Sequence, residues 1–232
     1  MDKRDIKDKI KEMEEILKAH YGAPSLKNRK RRRPLEEIIL TILSQNTTDK
    51  NSYRAYKNMM NRFGTMEKLS RADAGEVADA IQAGGLGPTK ARYILGFFSW
   101  LRENYGKLNC DFLCETDTDE AIEIFTAVNG IGVKTIAVAL AFSCGRDIFP
   151  VDTHVFRVCS RAGVLPDVKN PVKAFYFLRD LIPEGSGFSM HMNVIKHGRE
   201  VCTARNPNCE GCFLNHLCEY YQYKTNDDGQ PG

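Results

Sequence analysis

Four cysteines close to the C-terminal end, Cys202, Cys209, Cys212 and Cys218, are separated by six, two and five residues. Four thiolates within one loop-rich segment are equipment for an inorganic centre, either zinc or a four-iron four-sulfur cluster. Structural zinc usually takes two CxxC knuckles. Only Cys209 and Cys212 make such a pair here, so the spacing favours the cluster, with His216 as a spare donor. A second chemical group is an amine and a carboxylate: Lys134 follows the glycines of NGIGV, and Asp152 opens VDTHVF. At the start of a helix the dipole disfavours the ammonium form of Lys134, and burial would do so further, while a nearby carboxylate would oppose both. A partly neutral amine beside a carboxylate can form a Schiff base at a sugar carbon.

These groups must be positioned by helices, because helical periodicity runs along most of the chain. Ile6, Ile10, Met13 and Leu17 form one stripe, and Leu35, Ile38, Ile39, Ile42 and Leu43 another behind Pro34. Tyr53, Tyr56, Met60 and Phe63 read as a third apolar face, Ala91 to Tyr105 as a fourth, and Val172, Phe175, Leu178 and Leu181 as a late helix. With no strand signal the expected class is all-α. Two connections share a form, GGLGPTKARYIL from Gly84 and NGIGVKTIAVAL from Asn129. Each is a glycine-punctuated turn that leads directly into a helix, whose first N–H groups can hold a phosphate without reading sequence. A helix from Lys134 to about Cys144 advances roughly 15 Å. The following seven residues can span up to about 23 Å, enough to bring Asp152 back beside the helix start. Asp152 is also well placed to cap the next helix.

At 232 residues and 42% hydrophobic composition, the chain can bury one sizeable core or two small ones. The charged start MDKRDIKDKIKEMEEILK and the absence of any long apolar window argue against a signal peptide and a membrane span, and so for an intracellular, cytoplasmic protein. Cys144 and Cys159 fall in apolar helical patterns and read as buried thiols in a reducing compartment, and Cys110 and Cys114 as structural. A net charge of +3 is too small to name a partner. The run KNRKRRR, residues 27–33, fits DNA steering, a nuclear address or a solvated linker equally.

The cysteine spacing together with LSQNTTD, GGLGPTKA, VNGIGVKT, VDTHVFRV and HGREVCTARNPNCEGC resembles the endonuclease III family of helix-hairpin-helix DNA glycosylases, over about Pro34 to Tyr220. The resemblance implies a two-lobed all-α fold: a six-helix barrel lobe over 27–147 holding the hairpin, and a discontinuous cluster lobe from 1–26 and 148–222. The polar tail 223–232 is expected to be disordered. It also implies a four-iron four-sulfur cluster on Cys202, Cys209, Cys212 and Cys218. The implied activity is bifunctional: removal of a damaged base, then strand cleavage by β-elimination, with Lys134 as nucleophile and Asp152 as activating carboxylate. The implied partner is double-stranded DNA containing damaged bases or abasic sites. One active site on one duplex needs no symmetry, so a monomer is expected, in the cytoplasm and, in a prokaryote, associated with the nucleoid. Asn46 corresponds to the family's gap-filling residue and Leu86 to its opposing wedge, filling the stack that a flipped nucleotide vacates. The backbone of Gly130 and Gly132, helped by Lys90 and Arg205, would grip phosphate.

The chain departs from the family pattern at two places. Asn129 stands where many members have Pro, and Thr126 stands where a Glu contacts the damaged pyrimidine. A hydroxyl offers no charged acceptor, which bears on base choice. Two other readings are a monofunctional mismatch glycosylase of the adenine type and a non-catalytic DNA-structure-binding module. The first normally lacks the hairpin Lys and carries a Glu at the place of Thr41.

Overall fold

The computed structural model describes residues 2–27 and 30–227. Every regular element among them is helical, and they divide into two compact units, 30–146 and a discontinuous one from the N-terminal 29 residues and 147 onward.

In the 30–146 unit, α2 (Pro34–Leu43) starts on a proline and buries nearly its whole length; Ile38, Ile39, Ile42 and Leu43 have no exposed surface. The following helices are α3 (Asp49–Phe63), the short α4 (Met66–Leu69), α5 (Ala74–Ala80), α6 (Gly87–Tyr105), α7 (Thr118–Thr126) and α8 (Val133–Phe142). Thr48, Thr65, Asp73 and Asp117 each place a side-chain oxygen on the first amides of the helix that follows. Such caps are worth about 1 kcal/mol each. Helix α2 packs on α8, and α5 on α6. Phe97, Trp100, Tyr105, Phe112 and Phe125 form a continuous ring cluster with centroid spacings from 4.3 to 6.1 Å. Phe125 is wholly buried there, so its loss would cost about 3–5 kcal/mol.

Helix α3 departs from the stripe expected of it. Its buried residues are Ser52, Ala55 and Met59, while Tyr53 is half exposed. The small residues let the turn Gln82–Gly84 approach closely: a Cβ on Gly84 would lie 3.2 Å from that of Ala55.

Cys114 and Cys144 are joined in a disulfide, which corrects their reading as separate thiols. Cys144 lies beyond the end of α8, not inside it, so it is available to bond a residue 30 positions away. Arg146 reinforces the junction, donating to Thr118 Oγ1 at 2.9 Å, to the Cys114 carbonyl at 3.1 Å and to that of Thr116. Cys159 is a buried thiol as expected, and burial pushes it up to about 12.

Three arginines of the basic run bond within the 30–146 unit. Arg31 donates to the Cys144 carbonyl, Arg32 reaches Glu37 and the Tyr53 hydroxyl, and Arg33 pairs with Asp111 at 2.6 Å. Asn28 and Arg29 lie outside the described residues.

The second unit holds α1 (Lys3–Tyr21), α9 (Thr153–Ala162), α10 (Pro171–Leu178), α11 (Gly187–Glu200) and α12 (Glu219–Asp227). Asp2 and Asp5 form a capping box on α1. Ile6, Ile10, Met13 and Leu17 are all at most 2% exposed, each contributing about 1.5–3 kcal/mol by burial. They pack toward α11, which also packs on α9. The Asp147 carboxylate accepts from the amides of Gly185 and Gly187 and so starts α11. The tail expected to be disordered from 223 is helical to Asp227, because α12 continues through it; residues 228–232 lie outside the described residues.

Candidate active site and cysteine cluster

The hairpin turn between α7 and α8 is built on two buried plugs, Val128 and Ile131, with Ile131 donating its amide to the Val128 carbonyl at 3.1 Å. Between them Gly130 takes φ +88°, and a Cβ there would lie 2.2 Å from the Tyr93 ring on α6. Only glycine satisfies both conditions. Gly132 is extended and precedes α8, and no side chain caps that helix. Its leading amides therefore face a surface where an anion fits the dipole. Lys134 is the second residue of α8 and is partly exposed.

Glu37 on α2 was not singled out by sequence. It is 6% exposed, and burial pushes its carboxyl above the usual range, opposed by the positive charges of Arg32 and, more weakly, Lys134. The available signal was register: of the pair Glu36 and Glu37, Glu37 shares the buried face with Leu40 and Thr41.

Asn46 and Leu86 share an unusual backbone. Among described residues only these two and Asp167 combine a side chain with positive φ, at 52°, 53° and 54°. For a leucine this is a costly conformation, of about 1–2 kcal/mol, and such outliers cluster at functional sites. Leu86 is 55% exposed, so it takes no part in the core. Asn46 is exposed and caps neither neighbouring helix; Ser44 and Thr48 occupy those places. Next to it, the Gln45 side-chain amide donates to the Gly130 carbonyl at 3.0 Å, tying this loop to the hairpin.

Lys90 does not grip phosphate. It is 1% exposed, and its Nζ donates to the carbonyls of Leu43 at 2.8 Å and Gly84 at 2.9 Å. The reason is its register: Lys90, Ile94, Phe97 and Leu101 share the buried face of α6. Burial accordingly lowers its pKa. Arg205 is exposed in the loop between the first two cysteines.

In the other unit, Asp152 caps α9, its Oδ1 accepting from the Val155 amide at 2.8 Å. One face of α9 continues to the cysteine loop. Arg157 donates to the carbonyls of Cys202 and Gly198 at 3.0 and 2.6 Å. Arg161 donates to Cys202 Sγ at 3.4 Å and to the Thr203 and Ala204 carbonyls, and lies over the Tyr220 ring. Neither arginine was found from sequence; their i, i+4 spacing on the helix after Asp152 was the clue.

Cys202, Cys209, Cys212 and Cys218 line one pocket. Burial is the main cause that pushes the Cys212 thiol up to about 11 and raises Cys218, and the neighbouring sulfurs add to both. Among the described residues, no three His, Cys, Asp or Glu side chains converge on a space for a single metal ion. The four thiols lining one pocket are the all-sulfur donor set of a four-iron four-sulfur cluster, in which each sulfur takes its own iron. His216 is turned to Glu12 at 3.6 Å. His197 instead reaches the sulfur of Cys212, with Nε2 at 3.5 Å.

A model described as the HhH-GPD superfamily of base excision DNA repair proteins matches residues 39–184. Endonuclease III of Sulfolobus acidocaldarius is 35% identical over 202 residues, which cover 83% of this chain and 84% of the relative. The chain belongs to the endonuclease III family. A second model, the iron-sulfur binding domain of endonuclease III, matches residues 202–218, so the pocket belongs to a four-iron four-sulfur cluster for which the four cysteines are the fitting ligands. Endonuclease III of Escherichia coli K12 is 30% identical over 190 residues, with 81% of this chain and 84% of the relative covered. A solved non-covalent endonuclease III–DNA complex superposes with TM-score 0.78 at 26% identity, covering 97% of this chain and 99% of that one. A trapped covalent endonuclease III–DNA intermediate does so equally well. As in other endonuclease III proteins the fold is all-α. No helix among its described residues is long and apolar enough to cross a membrane.

Proposed function

We propose that this chain, a base excision DNA glycosylase and lyase, works through Lys134 as its nucleophile, with Asp152 as the supporting carboxylate. The Lys134 nitrogen bonds C1′ of an everted nucleotide as the bond from C1′ to the base breaks, and the base departs with a proton. The C1′–O4′ bond then breaks as the nitrogen's second proton passes to O4′, which leaves a ring-opened imine. Removal of a C2′ proton then expels the 3′ phosphate, and water frees the lysine. Asp152 accepts the amine's proton and stabilises the cationic sugar as the base leaves. The observation that carries this reading is Lys134 on the first turn of a helix that no side chain caps, directly after the glycines of the hairpin. The trapped covalent complex of endonuclease III supports it. The cluster, when bound, supplies structural order to the cysteine loop and not base removal.

Asn46 and Leu86 fill the vacated stack, Gly130 and Gly132 take a phosphate, and Arg205 adds a cation to the cysteine loop. The base is a damaged pyrimidine. Thr126 donates its hydroxyl to the Ile122 carbonyl at 2.7 Å, so α7 ends without a charged acceptor for that base. The protein acts as a monomer in the cytoplasm, at the nucleoid if the cell is prokaryotic.

Borohydride reduction with a duplex carrying an abasic site tests the nucleophile. A covalent adduct is expected, absent from Lys134→Ala. Asp152→Asn keeps the cap on Val155 but slows turnover by about 100-fold or more. Wild-type protein that binds the duplex yet traps nothing would overturn the assignment. Base release with an intact strand would mark the monofunctional chemistry instead.

A further inference from the structure

We infer that Lys90 is a positioning residue: its buried ammonium braces the two loops that present Asn46 and Leu86, fixing them against each other before DNA arrives. This rests on the proposed roles of Asn46 and Leu86.

Leu43 is the last residue of α2, and Gly84 closes the 3-10 turn Gln82–Gly84. Carbonyls at helix ends lack intrahelical partners and carry the negative end of the dipole. One nitrogen satisfies both, at 2.8 and 2.9 Å. Asn46 follows Leu43 by three residues and Leu86 follows Gly84 by two, and both hold left-handed backbone. The brace extends through the backbone too, since the Lys90 amide donates to the Leu86 carbonyl at 3.0 Å. One turn further along α6, Tyr93 packs on Gly130, whose carbonyl receives Gln45. Three turns are thus held to one helix.

An apolar chain of equal length would fill the space but leave both carbonyls without this donor, at a desolvation cost for each. Stability therefore accounts for a donor here, set against the cost of desolvating an ammonium. What the charge adds is a fixed separation between two carbonyls, and so a fixed stagger between two strained loop tips. Preorganisation of this kind matters to catalysis, because a misplacement of about 1 Å can cost roughly 100-fold in rate.

The test uses the full-length, cluster-loaded protein and three readouts. The first is fluorescence of 2-aminopurine placed beside an uncleavable tetrahydrofuran abasic analogue in duplex DNA, at saturating protein, which reports unstacking without chemistry. The second is borohydride trapping on a single-stranded abasic oligonucleotide, which needs no wedge. The third is thermal melting. Lys90→Met should melt cooperatively and trap the single strand within about threefold of wild type, while duplex incision falls by about 10- to 100-fold. Its 2-aminopurine signal should drop to that of Leu86→Ala, and the double variant should fall no further. Should Lys90→Met fail to fold, Lys90→Gln, which still reaches one carbonyl, is read by the same criteria.

Equal losses on single-stranded and duplex DNA would mean general distortion, and a wild-type fluorescence signal would mean no bracing; either overturns the inference. So would a Leu86→Ala variant that keeps the full signal, since no wedge would then remain to be placed. If wild-type protein traps nothing on any DNA, the Lys134 chemistry fails separately, and the fluorescence arm still decides Lys90.

Discussion

Replacing Cys144 with Ser opens the Cys114–Cys144 bridge while leaving the Arg146 bonds to residues 114–118 in place. The bridge closes a loop with a sequence separation of 30. By chain entropy, closing such a loop in the unfolded state stabilises the folded one by about 3.6 kcal/mol. For a chain of this size that corresponds to a fall in Tm of about 7–14 °C. Thermal melting of wild type against Cys144→Ser and Cys114→Ser, without reductant so that the cluster is untouched, measures it. The two single variants and the double should agree, because each loses the same bond. Alkylation before and after reduction, read by mass spectrometry, should find Cys114 and Cys144 protected only before. Cys110 is not expected to exchange with the bridge, since burial pushes its thiol up to about 12 and almost none is thiolate at neutral pH. Variants that melt within about 2 °C of wild type would refute the reasoning, and so would free thiols at both positions.

Gly130→Ala should destabilise by about 2 kcal/mol or more, because the new methyl meets Tyr93 at a backbone angle that suits glycine alone. Gly132→Ala meets nothing within 4 Å at φ −110°, so melting should hold while a gel-shift titration with abasic duplex shows weaker binding. Cys212→Ser should lose the visible absorbance of the cluster and melt earlier, with the 30–146 unit's helicity retained by circular dichroism. The Glu37 carboxyl has its folded pKa raised by burial. Its contribution is therefore complete below the ordinary carboxyl range and is lost as pH rises through the folded value. Glu37→Gln should flatten that loss in melting profiles taken from acid to neutral pH.

The apolar stripes of α1 and α2 were legible because every position in them is large, aliphatic and buried. In α3 the same reasoning followed the aromatic residues and missed the face made by Ser52 and Ala55, where closeness to the Gln82–Gly84 turn favours small side chains. The place of Lys134 in the first turn of α8, the Asp152 cap on α9 and the gathering of the four cysteines round one pocket could be read from motif spacing, since glycines, a cap and a thiol ladder leave local marks. Lys90 could not be placed by type: a cation just after a glycine turn reads as a phosphate ligand until its register with Ile94 and Leu101 is counted. The Cys114–Cys144 bond left no local mark, because its partners sit 30 residues apart and are brought together only by tertiary packing. Arg157 and Arg161 were hidden for a similar reason, their acceptors lying more than 40 residues downstream.

Helix α1 leaves the ribosome well before the helix it packs on. Its stripe packs toward α11, and Lys9 meets Glu219 at 3.5 Å, so Ile6, Ile10, Met13 and Leu17 wait for their main cover until α11 has been made. The 30–146 segment meanwhile has all of its own core and can condense during synthesis. A product cut short before α11 thus keeps a sticky greasy helix exposed, a handle by which chaperones and proteases can tell unfinished chains from finished ones.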